Sequence, residues 1–275
     1  MPVSKLYVEG KTDERILKAT LSLLPNNPTI ERKGSKDDLP HIVRRERQSS
    51  PELSVVYLRD RDFDTEPVIP APAQPDAILH KGAVHGYRWQ RHEIESYLLT
   101  PALVEAAFGV SVQQTEAALT GAAGMLRNYT AARWTIGHTR RLCRQVGTLQ
   151  TRPVGITDFQ LPPDLSAAGM DTWITTTQQL FLGNYNSALD IVAMRQLFQQ
   201  YQAKLDTQNP DEILLWYSPK DLLAAMSAWR ALPSINAAAP ADFCDKLARW
   251  LERGNGLRFF QLIPEAQALA DLLTS

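Results

Sequence analysis

Cysteine is nearly absent: the 275 residues contain two, Cys143 and Cys244, far apart in the chain. That excludes a disulfide framework and the paired spacings of zinc or thiol-redox sites, and it suits a reducing compartment. Long apolar runs are missing as well. Nothing approaches the ~18 consecutive apolar residues of a membrane span, so no transmembrane helix is expected. The opening Met1-Pro2-Val3-Ser4-Lys5 lacks the long apolar stretch of a secretory signal, which makes a cytoplasmic location the expectation. An excess of either charge is lacking too. The net charge of −1 excludes a broadly basic nucleic-acid binder, so any grip on a polyanion must come from a local patch or from bound metal. The five histidines (His41, His80, His85, His92 and His138) show no zinc spacing. No GxxxxGK[ST] loop occurs, so any ATP requirement falls to a partner.

What is present is the composition of a soluble globular protein, 44% hydrophobic and 21% charged. The first hundred residues alternate strand and helix signals. Lys5 to Val8 reads as a short strand, and Thr12 can cap a helix with Asp13 and Glu14 in its first turn. Ile16, Leu17, Thr20, Leu21 and Leu24 form the apolar stripe of that helix. Thr29 to Arg32 reads as a second strand, and a polar helix follows Gly34-Ser35 through Arg47. "LSVVYL", Leu53 to Leu58, is apolar almost throughout, the signature of a central parallel strand buried on both faces. A proline-rich loop, Thr65 to Pro75, precedes a possible fourth strand, Ala77 to His80. The β-α-β-α-β order predicts an α/β fold with a parallel sheet flanked by helices. Three segments follow: an α/β core over 1–100, a helical insert over 101–205, and 206–275 completing the core. In the last segment Glu212 to Tyr217 reads as a late strand or a helical turn, and Pro219 suits the first turn of a helix.

Carboxylates collect where such a sheet binds ligands, beyond the carboxyl ends of its strands. Glu9 follows the first strand, Asp13 lies one turn into the next helix, and Asp60 and Asp62 follow the buried strand. Glu93 and Glu95 come after the possible fourth strand. Converging carboxylates repel one another unless cations sit among them, and hard oxygen donors suit Mg²⁺ or Mn²⁺. A pair of such ions can activate water against a phosphodiester. Taken singly, each of these residues also fits an ordinary surface carboxylate. "DRDFDT" does not make a calcium loop, because Thr65 stands where glycine is needed. A phosphatase of the haloacid-dehalogenase type would leave Glu9 unexplained.

"YVEGKTD", then "YLRDRDFD" after a buried strand, resembles the glutamate and DxD motifs of the Toprim domain. With "RHEIESYLL" and "WYSPKDLL", the chain looks like Toprim nucleases of the OLD (overcoming lysogenization defect) type. It is most similar to the compact members that work beside an ABC-type ATPase in phage defence, as in the PARIS system. The motifs span roughly residues 4 to 100, plus a patch around Lys220. The resemblance implies that Glu9, Asp60 and Asp62 hold divalent metal, that Asp13 is the second acid of the first motif, and that Glu95, with Glu93 beside it, forms the later acidic motif. It also implies a lysine near the metals, Lys220, preceded here by Pro219 where the family often has glycine. Implied with it are a metal-dependent nuclease, an ATPase partner and a nucleic-acid substrate, DNA or RNA (tRNA included), with homodimerisation an open option. The competing readings are a non-catalytic Toprim-like subunit docked on an ATPase, and a primase- or topoisomerase-like protein. Arginines crowd two places, Arg44, Arg45 and Arg47, then Arg127, Arg133, Arg140, Arg141, Arg144 and Arg152 near Trp134 and His138. The second stretch is the expected nucleic-acid contact, through Arg133, Arg140, Arg141 and Arg144. A solvated helix face is its alternative.

Overall fold

The computed structural model describes residues 2–35, 37–63, 65–142, 155–156, 159–182 and 191–275. Arg144 and Arg152 lie outside the described residues, as does Cys143. Strands β1 (Lys5–Val8), β2 (Thr29–Arg32), β3 (Val55–Arg59), β4 (Asp76–His80) and β5 (Ala83–Arg88) form one sheet in the order β2-β1-β3-β5-β4. Helices α1 (Lys11–Leu21) and α2 (Leu39–Ser49) connect the first three strands. β1 pairs in parallel with β2 and β3, and β3 in parallel with β5.

The strands alternate as a sheet covered on both faces requires. Leu6, Val8, Val56 and Leu58 belong to the large core, whereas Tyr7, Val55 and Tyr57 pack with Leu39 and Val43 of α2 on the other face. Both sets are buried, which is why Val55 to Leu58 reads as a continuous apolar run. Each such side chain removed from water contributes about 1.5–3 kcal/mol.

The sheet is mixed, not wholly parallel, because β4 pairs with β5 in antiparallel fashion. Strand β5 has no counterpart in the sequence reading. Its signal is the two-residue turn Lys81-Gly82, both at positive φ (50° and 81°), the geometry of a tight hairpin. One capping expectation and one helix start also change. The first helix is capped by Gly10 and Thr12 lies inside it, while α2 begins at Leu39.

Helices α3 (Ile94–Leu98), α4 (Pro101–Phe108), α5 (Val112–Leu142), α6 (Ala167–Leu182), α7 (Ile191–Lys204) and α8 (Pro210–Trp216) come next. They are followed by α9 (Pro219–Ala225), α10 (Ser227–Arg230), α11 (Pro240–Trp250), α12 (Gly256–Leu262) and α13 (Pro264–Thr274). Of the two readings of "EILLWY", the helical one holds for Glu212 to Trp216, and Tyr217 follows as the extended C-cap. Asn209 caps α8 by accepting from the Asp211 N–H, Pro210 opens it, and Asp211 and Glu212 occupy its first turn. One apolar cluster runs through all three sequence segments, from Leu6 and Val56 through Leu119 and Trp134 to Trp216 and Leu273. The helical stretch thus packs directly on the α/β core.

Candidate functional site

Register delivers the first carboxylates. β1 and β3 run side by side with Val8 opposite Leu58, so Glu9 and Asp60 leave the sheet at the same edge. α1 then carries Asp13 back over that edge, where its buried side chain lies in the first helical turn. β5 ends beside β3 with Arg88 opposite Arg59, and the chain continues to Glu93, the N-cap of α3, and Glu95 in its first turn. Glu93 and Glu95 are both buried. Lys220 arrives from the start of α9, behind Pro219.

These elements enclose a cleft of about 410 Å³ lined by Glu9, Asp13, Asp60, Glu93, Glu95 and Lys220. Gly10, Lys11, Arg15, Phe159, Cys244 and Asp245 are among the other residues of its wall. Asp62 does not line the cleft, yet its charge acts on Asp60 and Glu93. The structure therefore brings together every acidic residue singled out in the sequence, with Asp62 one step behind the others.

Electrostatics in the cleft are unfavourable for the carboxylates alone. Burial drives the Asp13 carboxyl well above the usual carboxylate range, and repulsion from Glu95, Glu9 and Glu93 adds to it. Asp60 is driven the same way, first by burial and then by Asp13, Glu93, Asp62 and Glu95. Burial pushes Glu93 up to about 7 against the opposing pull of Lys220, whose Nζ lies 2.6 Å from Glu93 Oε2. Asp60 Oδ1 is buried with no hydrogen-bond partner among the described residues. Such a group is costly unless something else satisfies it.

The donor set is all oxygen, the chemistry of Mg²⁺ and Mn²⁺. Among the described residues, no three His, Cys, Asp or Glu side chains are gathered tightly enough to form a ready-made metal cage. The residues available to hold an ion are Glu9, Asp13, Asp60, Asp62, Glu95 and Glu93. The inaccessible Asp60 oxygen and the raised carboxyl groups fit a cation between them.

Behind the cleft, the turn carrying Asp60 and Asp62 is tied to the loop carrying Glu93. The N–H groups of Arg61 and Asp62 both donate to the His92 carbonyl, at 3.0 and 3.1 Å. Asp62 adopts the left-handed region (φ 49°), which aspartate tolerates better than most residues. Arg61 points away from the cleft and is buried. It donates to the Gln90 carbonyl (2.7 Å), the Thr65 carbonyl (2.6 Å) and the Leu215 carbonyl. The sequence reading gives no site role to Arg61, Phe159 or Cys244. The first sits in plain view inside "RDRDFD", but its inward direction has no local signal.

The arginine stretch divides. Arg133 is a correction: the sequence reading puts it on a phosphate-facing patch, and the structure buries it in an ion pair with Asp221 beneath the Phe63 ring. Its approach to Asp221 and Phe63 is set by helix packing. Arg141, half-buried, donates to the Phe63 carbonyl at 2.7 Å. Arg140 is half-buried on the same helix, and so is Arg127, which is paired with Asp206 at 2.8 Å. Arg15 at the cleft wall is engaged by Glu252 (2.6 Å) and Asp245.

Fold and site together define an α/β protein with a mixed, mostly parallel five-stranded sheet and an acidic cleft at its strand ends. Compared with protein-family models and with curated proteins, the chain matches none. No helix among the described residues is long and apolar enough to cross a membrane.

Proposed function

We propose that this chain is a Toprim-type, Mg²⁺- or Mn²⁺-dependent nuclease of the OLD kind, acting as the effector of a phage-defence system. The observation that carries the reading is the convergence of carboxylates from three strand ends on a cleft where Asp60 keeps a buried oxygen with no hydrogen-bond partner among the described residues. Carboxylates in that condition call for cations. Bound there, two divalent ions would neutralise the carboxylates and supply Lewis acidity toward a phosphodiester and its attacking water.

The chain's own residues divide the remaining work. Glu9, Asp60 and Asp62, with Asp13, Glu95 and Glu93, hold and orient cations. Glu9, at the cleft wall, is the candidate for accepting a proton from the attacking water. Lys220 offers a compact ammonium for charge that develops on the phosphate. In the described structure that ammonium serves Glu93, so substrate must compete for it.

Absence of a nucleotide loop assigns ATP hydrolysis, where required, to an ABC-type ATPase partner. The substrate is a nucleic-acid phosphodiester, DNA or RNA. Incubation of mixed DNA and RNA with Mg²⁺ or Mn²⁺, with and without an ATPase encoded beside this chain, tests the reading. Metal-dependent cleavage lost in Glu9→Ala and Asp60→Asn is the expected result; no cleavage under any of these conditions contradicts it.

One observation favours a second reading. The Lys220–Glu93 ion pair already supplies a cation to the cleft, as a non-catalytic docking subunit would need for stability alone. Association with the ATPase, unaltered by Asp60→Asn and without any cleavage, would support that reading instead.

A further inference from the structure

The Asp60–Asp62 turn presents carboxylates on one side, and on the other it rests against helix α5. Phe63, directly after the turn, is buried with its ring 4.3 Å from His92 and 4.9 Å from Trp134, and the Arg133 guanidinium stands 4.1 Å from its centre. α5 meets this backbone at Gly137. A Cβ there would lie 2.7 Å from the Phe63 carbonyl oxygen and 2.9 Å from the Phe63 Cβ, too near for either to stay in place. One turn further along, Arg141 donates to that same carbonyl oxygen at 2.7 Å. Helix backbone and turn backbone are therefore in direct contact, with no side chain between them to absorb a displacement.

The same helix carries its own comparison. Gly121 and Gly124 also lie in α5, and a Cβ at either would meet nothing within 4 Å. Glycine weakens a helix interior wherever it stands. Only at Gly137 does the surrounding structure demand it. Beyond the Gly137 contact, the turn is also held by the two N–H groups donated to the His92 carbonyl and by the Arg61 side chain. A turn held this way has one position, and ligand geometry tolerates small errors only.

We infer that Gly137 is a positioning residue, whose missing side chain lets α5 press the Phe63 backbone and so fix Asp60 and Asp62 for metal. The inference rests on the metal-site reading above. It extends that reading by making the helical stretch a determinant of metal affinity and not only a covering for the sheet.

Three alanine variants along one helix test it, with two readouts that need no catalysis. Mn²⁺ affinity is measured by calorimetric titration, and amide hydrogen exchange is followed at Arg61 and Asp62, whose N–H groups report the seat of the turn. Thermal melts monitor folding. Gly121→Ala and Gly124→Ala should bind Mn²⁺ as the wild type does, exchange at the same rate and melt no lower. Gly137→Ala should bind about 10- to 100-fold more weakly, the usual loss when the support behind a ligand is disturbed, and should exchange faster at Asp62. A folded Gly137→Ala with wild-type affinity and exchange overturns the inference. Where Gly137→Ala fails to fold, Arg141→Met decides, since it removes the hydrogen bond to the same carbonyl from a half-buried position. Faster Asp62 exchange and weaker Mn²⁺ binding in that variant support the inference, and wild-type values overturn it. No Mn²⁺ binding by the wild-type chain overturns the metal reading, and this inference with it.

Discussion

Lys220 Nζ lies 2.6 Å from Glu93 Oε2, although one opens α9 and the other caps α3. The pair places the only lysine drawn from the resemblance among the carboxylates drawn from the strand ends. Lys220→Ala should lower kcat by about 100-fold or more while KM changes little, because charge on the phosphate grows toward the transition state. Lys220→Arg should rescue only in part, since a planar fork does not replace a compact ammonium. Steady-state kinetics on the cleaved substrate separates the two effects. A rise in KM with kcat unchanged would mean that Lys220 merely helps to hold substrate.

Raised carboxyl groups make stability depend on pH in a known direction. In Asp13, Asp60 and Glu93 the folded state keeps a proton that the unfolded chain releases near pH 4 to 4.5. The folded state binds more protons above that point, so stability must fall as pH rises, through about 7 for Glu93. In the presence of a chelator, the melting midpoint should drop between pH 5 and pH 8. Asp60→Asn should melt about 3 °C or more higher than the wild type at pH 8, and should lose activity. Mg²⁺ should raise the wild-type midpoint more at pH 8 than at pH 5. An equal effect of Mg²⁺ at both pH values would place the ion elsewhere.

Arg133 and Asp221 form a buried ion pair, so breaking it from one side leaves an uncompensated charge. Arg133→Met should cost about 3–5 kcal/mol in urea unfolding. The double change Arg133→Met with Asp221→Leu should recover most of that loss, because both charges go together. A loss of nucleic-acid binding at unchanged stability would restore the phosphate-contact role to Arg133.

Glu265 of α13 is another buried carboxyl, and it does not line the cleft. It accepts from the Gln90 N–H at 2.7 Å and from the Tyr97 hydroxyl, and burial pushes it up to about 7. The sign is the same: the proton is retained in the folded state between about 4.5 and 7, and stability falls across that window. Glutamine has the same shape and can accept from Gln90 without carrying the charge. Glu265→Gln should therefore remove up to about 3 kcal/mol of pH-dependent destabilisation, as urea unfolding at pH 5 and pH 8 would reveal. Since Gln90 also receives Arg61 at its carbonyl, the substitution should leave Mn²⁺ affinity unchanged. An identical pH profile in the variant would refute the assignment.

The parts legible in the sequence are those written in neighbouring residues. The strand run read over Leu53 to Leu58 and found at Val55–Arg59, the apolar stripe of α1 and the acids after β1 and β3 follow from an apolar run, helical spacing and the end of that run. These are short-range properties, and they suffice for an α/β sheet with Glu9, Asp60 and Asp62 at its strand ends. The hairpin of β4 and β5 was written there too, in Lys81-Gly82, but a two-residue turn is a faint signal beside a proline-rich loop. The helix over "EILLWY" was signalled by Asn209-Pro210, against a β-leaning run of apolar and aromatic residues, and the cap prevails once α8 packs on the core.

Which arginine faces solvent was decided only by tertiary packing. Arg133 and Arg141 lie on one helix with similar neighbours in sequence, yet one is buried against Asp221 and Phe63 and the other reaches the Phe63 carbonyl from a half-buried position. The direction of Arg61, the meeting of Lys220 with Glu93 and the contact between Gly137 and Phe63 belong to the same class. Each depends on where elements far apart in the chain come to rest against one another. Local propensity sets the elements, whereas the burial of apolar surface between them selects which polar groups must then find partners.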